Sequence, residues 1–171
     1  GPAVGWRPIP NAGIPADTHF LGTLDAVPLE FRRNNQRSGF LSAGSANTAW
    51  GYRALVAPTA TSNVAYGAEA LRFNTSGAQN TAVGAEALRY ADAAPGCTAF
   101  GTRTMSTWNG TLTNCTAVRY ETMMWNQGAN NTACGTIALR NNVVGEENTA
   151  IGYGALNGST GSVMTRCTAL F

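Results

Sequence analysis

A nine-residue phrase, Asn-Thr-Ala-apolar-Gly-x-x-Ala-Leu, recurs eight times in the chain, and no other feature of the sequence restricts its fold so severely. The copies read NTAWGYRAL from Asn47, NVAYGAEAL from Asn63, NTAVGAEAL from Asn80, CTAFGTRTM from Cys97, CTAVRYETM from Cys115, NTACGTIAL from Asn131, NTAIGYGAL from Asn148 and a clipped CTALF from Cys167. Successive starts lie 16, 17, 17, 18, 16, 17 and 19 residues apart. A unit of that length is too short for a helix pair or a strand-helix unit of ordinary size. The Gly and Thr recurring in every coil also oppose a helix through segments such as GAEALRYA. The expected fold is all-β, a parallel β-solenoid or β-roll of about eight coils of 16–19 residues over residues 45–171.

Within a phrase, Thr81 and Val83 point to one side and Asn80, Ala82 and Gly84 to the other. Polar connectors such as RFNTSGAQ from Arg72 supply Asn and Gly for the positive φ of tight turns and form the corners. The Ala-Leu end reads as a second short extended piece, so each coil is expected to hold two strands and two turns. The repeated structural positions are Asn47, Asn63, Asn80, Asn131 and Asn148 at the head of the phrase, with Gly51, Gly67, Gly84, Gly101, Gly135 and Gly152 after its strand.

Stacked at about 4.8 Å, such coils make a slender rod of about 35 to 40 Å that exposes on its flank as much apolar and small-residue surface as it buries. Packing several rods together through their Ala and Gly faces is the expected way to cover that flank. The apolar slot of the phrase holds Trp50, Tyr66, Val83, Phe100, Val118, Cys134, Ile151 and Leu170. A strictly buried site would not accept that range of volumes, so either the roll tapers or the slot lies at an interface. Two residues past the Gly, the residues Arg53, Glu69, Glu86, Arg103 and Glu121 predict an exposed charge ladder, with Arg53 beside Glu69 and Arg103 between Glu86 and Glu121. Each pair contributes at most about 1 kcal/mol.

Composition fits a repeat better than a globule: only 12% of residues are charged, all eleven cations are Arg, and the net charge is +2. That balance gives no reason to expect nucleic acid as a partner, and no apolar run reaches the roughly 18 residues of a membrane span. The four cysteines, Cys97, Cys115, Cys134 and Cys167, have no close CxxC pair; three of them occupy the head slot of the phrase, which favours buried free thiols over a metal site. Neither a metal nor a cofactor is expected.

Catalytic residues are not expected either. The single histidine, His19, sits in a Pro-rich segment with nothing nearby to complete a triad. Glu69 and Glu86, equivalent positions on adjacent coils, have the spacing of a glycosidase carboxylate pair, yet Arg53 and Arg103 beside them would keep both ionised. The sequons at Asn74, Asn109, Asn114, Asn130 and Asn157 read as incidental. The better binding candidates are Trp108, Trp125 and Tyr120 around the fourth and fifth coils, whose amphipathic rings suit stacking on sugars or anchoring a protein.

Gly1 and Pro2 read as the scar of a removed affinity tag. Residues 3–44 form an N-terminal cap: WRPIPNAGIPADTHF has no period, whereas FLGTLDAVPLEFRRNNQRSGFLS alternates into a β-hairpin or meander turned at Asn34-Asn35, with Leu29 and Phe31 inward and Glu30 and Arg32 outward. The string FLGTLDAVPLEFRRNNQRSGF followed by NTAVG-type repeats resembles bacteriophage tail-fibre sequences, and the repeat is similar to the β-roll head of trimeric autotransporter adhesins. The resemblance implies a homotrimer. It further implies a virion appendage serving as rigid spacer and attachment to a host cell-surface glycan or outer-membrane receptor, without membrane insertion. The alternatives it leaves are an adhesin head on the bacterial outer surface that binds host matrix, and a polysaccharide-depolymerising tailspike fragment.

Overall fold

The computed structural model describes residues 26–56, 59–106, 112–158 and 164–170, and their strands form one ten-stranded sheet with no helix among the described residues. Residues 1–25, and with them Gly1, Pro2, His19 and the expected start of the cap, lie outside them.

Strands β1 (Leu29–Arg33) and β2 (Gln36–Leu41) make the expected hairpin. Asn34 and Asn35 turn it with φ of 48° and 56°, the doubly left-handed conformation that a two-residue hairpin loop requires and asparagine tolerates. A register shift between Phe31 and Arg32 disturbs the expected alternation: Leu29, Glu30 and Phe31 are all half-buried, and Arg32 and Arg33 are both exposed. Glu30 is held by cations, with Arg32 Nε donating to it at 2.7 Å and Arg37 Nη1 3.6 Å away. Strand β2 then pairs antiparallel with β3 (Thr48–Trp50), setting Phe40 beside Ala49, so the hairpin occupies the first edge of the solenoid.

From β3 onward the sheet is parallel. Strands β4 (Val64–Tyr66), β5 (Thr81–Val83), β6 (Thr98–Phe100), β7 (Thr116–Val118), β8 (Thr132–Cys134), β9 (Thr149–Ile151) and β10 (Thr168–Leu170) stack in order and in register, Ala upon Ala. The chain is a β-solenoid of about seven turns. Asn80, Ala82, Ala87 and Leu88 of one coil are completely buried, and their equivalents on neighbouring coils continue the same interior columns.

Buried asparagines join the coils. Each accepts, through Oδ1, the backbone N–H that opens the next phrase: Asn47 from Asn63 at 2.8 Å, Asn63 from Asn80 at 3.0 Å, Asn80 from Cys97 at 2.8 Å, Asn131 from Asn148 at 2.9 Å and Asn148 from Cys167 at 2.9 Å. A buried amide left without a partner would cost about 1–3 kcal/mol, so wherever Asn heads the phrase its Oδ1 supplies the acceptor that the next coil needs.

Three expectations need correcting. The Ala-Leu end of the phrase is a corner, not a second strand, because Glu86 (φ 58°) and Leu88 (φ 50°) are both left-handed. It still bonds coil to coil, Leu88 N–H donating to Thr104 O at 3.0 Å, since the same bend repeats at the same place in each coil. The Ala and Gly positions are not an outer packing flank. Alanines fill the interior, and the glycines lie against the next coil's backbone, where a Cβ on Gly67 would sit 2.5 Å from Gly84 O at a φ of +138°. The variable slot accepts different volumes because it projects outward from the sheet, and not because the roll tapers; Tyr66 is 59% and Phe100 56% exposed.

Candidate functional site

Alternation along each short strand leaves two columns on the outer face of the sheet. One carries Thr48, Val64 and then Thr81, Thr98, Thr116, Thr132, Thr149 and Thr168; the other is the variable apolar slot from Trp50 to Leu170. Neither column contains a charge. Trp50, Tyr66, Phe100, Ile151 and Leu170 are all substantially exposed there, an apolar stripe longer than a solvated surface ordinarily presents. The hairpin partly covers Trp50, with Phe31 at 5.0 Å between ring centroids and Gly39 close against the indole.

The charge ladder forms around different cations from those expected. Arg103 does lie between Glu86 (3.8 Å) and Glu121 (3.7 Å). Glu69, however, is held by Arg72 at 2.9 Å and Arg89 at 2.6 Å, and no ion pair joins it to Arg53. Arg89 also reaches Glu86 at 3.2 Å, and Arg140 reaches Glu121 at 3.2 Å. The ladder is half-buried more than exposed, with Glu121 only 8% accessible. Arg72 and Arg89 follow Glu69 and Glu86 at the same spacing in EALRF and EALRY, so the repeat alignment carried the signal that identifies them. Glu69 and Glu86 therefore share one guanidinium between them, an arrangement that fixes their orientation and occupies their lone pairs.

Of the aromatic candidates, Tyr120 (45% exposed) and Trp125 (41%) are at the surface, and Trp108 lies outside the described residues. Tyr120 follows β7 directly. Trp125 lies beyond the next corner, its N–H donating to Arg140 O just as Phe73 N–H donates to Arg89 O in the same column three coils earlier. Among the described residues no ring contact joins Tyr120 to Trp125. The sequence reading missed an aromatic pair in the Trp125 column: Phe73 and Tyr90 stack at 5.0 Å with planes 7° apart, and Arg72 and Arg89 lie over the two rings at 4.6 and 4.9 Å.

All four cysteines are free thiols, Cys97 and Cys115 buried on adjacent coils and Cys134 exposed. The neighbouring Cys115 thiol and burial both push the Cys97 pKa upward, holding it protonated. Among the described residues no group of three or more His, Cys, Asp or Glu side chains is placed to hold a metal ion, and no helix is long and apolar enough to cross a membrane. Comparison of the chain with protein-family models, with curated proteins and with solved structures finds no match.

Proposed function

We propose that this chain is a segment of a homotrimeric surface fibre of the phage tail-fibre kind, in which three solenoids turn their sheet faces toward a common axis and leave their corners for a host receptor. The supporting observation is the uncharged outer face of the sheet, whose apolar column from Trp50 to Leu170 is exposed at Trp50, Tyr66, Phe100, Ile151 and Leu170 and half-buried at Val83 and Val118. Burying a large apolar side chain fully contributes about 1.5–3 kcal/mol. Five such residues about half exposed amount to roughly 4–8 kcal/mol per chain, a driving force of the same order as the entropic cost of association. Short strands in strict register give the rod the stiffness a spacer needs.

The corners carry what a receptor would meet: Tyr120 and Trp125, whose exposed rings suit a host-surface glycan or an outer-membrane protein. Light scattering on the purified chain at micromolar concentration tests the assembly. The expected mass is about three times 17.8 kDa. A folded, heat-stable monomer at that concentration overturns the proposal.

A further inference from the structure

We propose that the groove between the capping hairpin and the first coil binds a sugar carrying a carboxylate, a uronic or sialic acid unit of a surface polysaccharide. The groove has a volume of about 400 Å³ and is built where β1, β2 and the first Ala-Leu corner meet. Arg32, Arg37 and Arg53 line it together with a single acid, Glu30.

Two of the three guanidinium groups are already committed. Arg32 is bound to Glu30 and to Asn35 Oδ1 at 3.2 Å. Arg37 donates to the backbone carbonyls of Leu55 and Val56, which ties the hairpin to the coil, and it also faces Glu30 and the ring of Phe40. Arg53 differs: its neighbour is the ring of Tyr52, 5.0 Å away, and among the described residues no carboxylate pairs with it. Its equivalents Glu69, Glu86, Arg103 and Glu121 all take part in the ion-pair band, so Arg53 is the position where the ladder leaves a cation open.

The chemistry of the lining selects the ligand. One uncommitted guanidinium matches a monoanion, and its planar fork fits a carboxylate in a bidentate manner. A phosphate dianion would meet the Glu30 carboxylate with only one free cation to offset it. Glu30, Asn35 and Gln36 offer acceptors and donors for ring hydroxyls, while Val56 gives an apolar wall for the ring's C–H face. The inference adds to the receptor-binding part of the proposed function a second place, at the capped end and away from Tyr120 and Trp125, together with a ligand class. It stands on one chain, so the light-scattering result neither supports nor removes it.

Calorimetric titration of the full chain with sialyllactose, galacturonate trisaccharide, lactose and inorganic phosphate tests the groove. At least one of the two acidic sugars should bind at least tenfold more tightly than lactose. Arg53→Gln should lower that affinity about tenfold without moving the melting temperature, and Arg53→Lys should recover only part of it. Binding that Arg53→Gln leaves intact, equal binding of lactose, binding of phosphate alone, or no binding at millimolar sugar would each overturn the proposal.

Discussion

The coils headed by Asn63 and Asn80 and those headed by Cys97 and Cys115 share a strand, a corner and a register, yet they meet the next coil with different atoms. In the first pair, amide oxygens accept the following phrase's N–H at 3.0 and 2.8 Å. In the second, the N–H groups of Cys115 and Asn131 face sulfur instead, a weaker acceptor. Gly84 has φ of +133° where the fifth coil places Arg119 at +103°, a conformation that L side chains rarely adopt. The Ala-Leu corner becomes Thr104-Met105 and Thr122-Met123, and the added hydroxyls bond across the step: Thr104 to Arg119 O at 2.5 Å and Thr122 to Gly135 O at 2.6 Å. Lost hydrogen bonding at the head of the phrase and strain at its glycine are thus offset at its tail. The stack depends less on any one side chain than on giving every inward-facing backbone group a partner on the neighbouring coil.

Substitution can exaggerate or erase that difference. The largest effect is expected from Gly84→Ala, whose Cβ would lie 2.4 Å from Gly101 O in a backbone conformation closed to alanine. Urea unfolding should show a loss of about 3 kcal/mol or more; a loss under about 1 kcal/mol would mean the regular coils are not stacked this closely. Next comes Asn80→Ala, which leaves the buried Cys97 N–H without its acceptor and should cost about 2 kcal/mol. In the irregular coils the same logic changes sign. Arg119→Gly removes the strained non-glycine residue and should stabilise by about 1 kcal/mol, net of the entropy glycine adds to the unfolded chain. If it destabilises instead, the Arg119 side chain holds the coil in a way the backbone does not reveal.

How far this was legible in the sequence follows from what a period can encode. The eight repeated strands that stack into about seven turns, the alternation that buries Ala82 and leaves Thr81 and Val83 half-buried on the other face, the Asn34-Asn35 turn and the capping hairpin all depend on local chemistry, and the sequence carries them. The corner at Ala87-Leu88 was not legible, because leucine ordinarily avoids left-handed φ and only the stacking of identical bends makes it tolerable there. Arg53 was misplaced for a related reason. Register predicts which residues are neighbours, but Arg89 can reach both Glu69 and Glu86, and a long side chain chooses between partners by geometry that spacing does not contain. The groove beside Arg53 needed the hairpin and the first corner to meet, and no motif within either one announces that meeting.

A final, smaller effect separates the regular coils from the rest by pH. Asp92, in the connector after Tyr90, accepts hydrogen bonds from the Thr75 hydroxyl and, at 2.9 Å, from the Thr75 N–H, fastening one connector to the next. These bonds hold its carboxyl below the ordinary carboxylate value, the hydroxyl contributing most. The folded state therefore binds fewer protons at this site than the unfolded state. The stabilisation is complete above the unfolded value of about 3.9 and is lost as the pH falls through the folded value. Asp92→Asn should be less stable than the parent chain near neutral pH, by a margin kept small because the side chain is exposed to solvent. Thermal melts of the two proteins should converge as the pH falls through the lowered folded value of Asp92. Curves that stay parallel throughout would show that the connector is held by its backbone bonds, such as Gly77 N–H to Asp92 O at 2.9 Å, and not by the carboxylate.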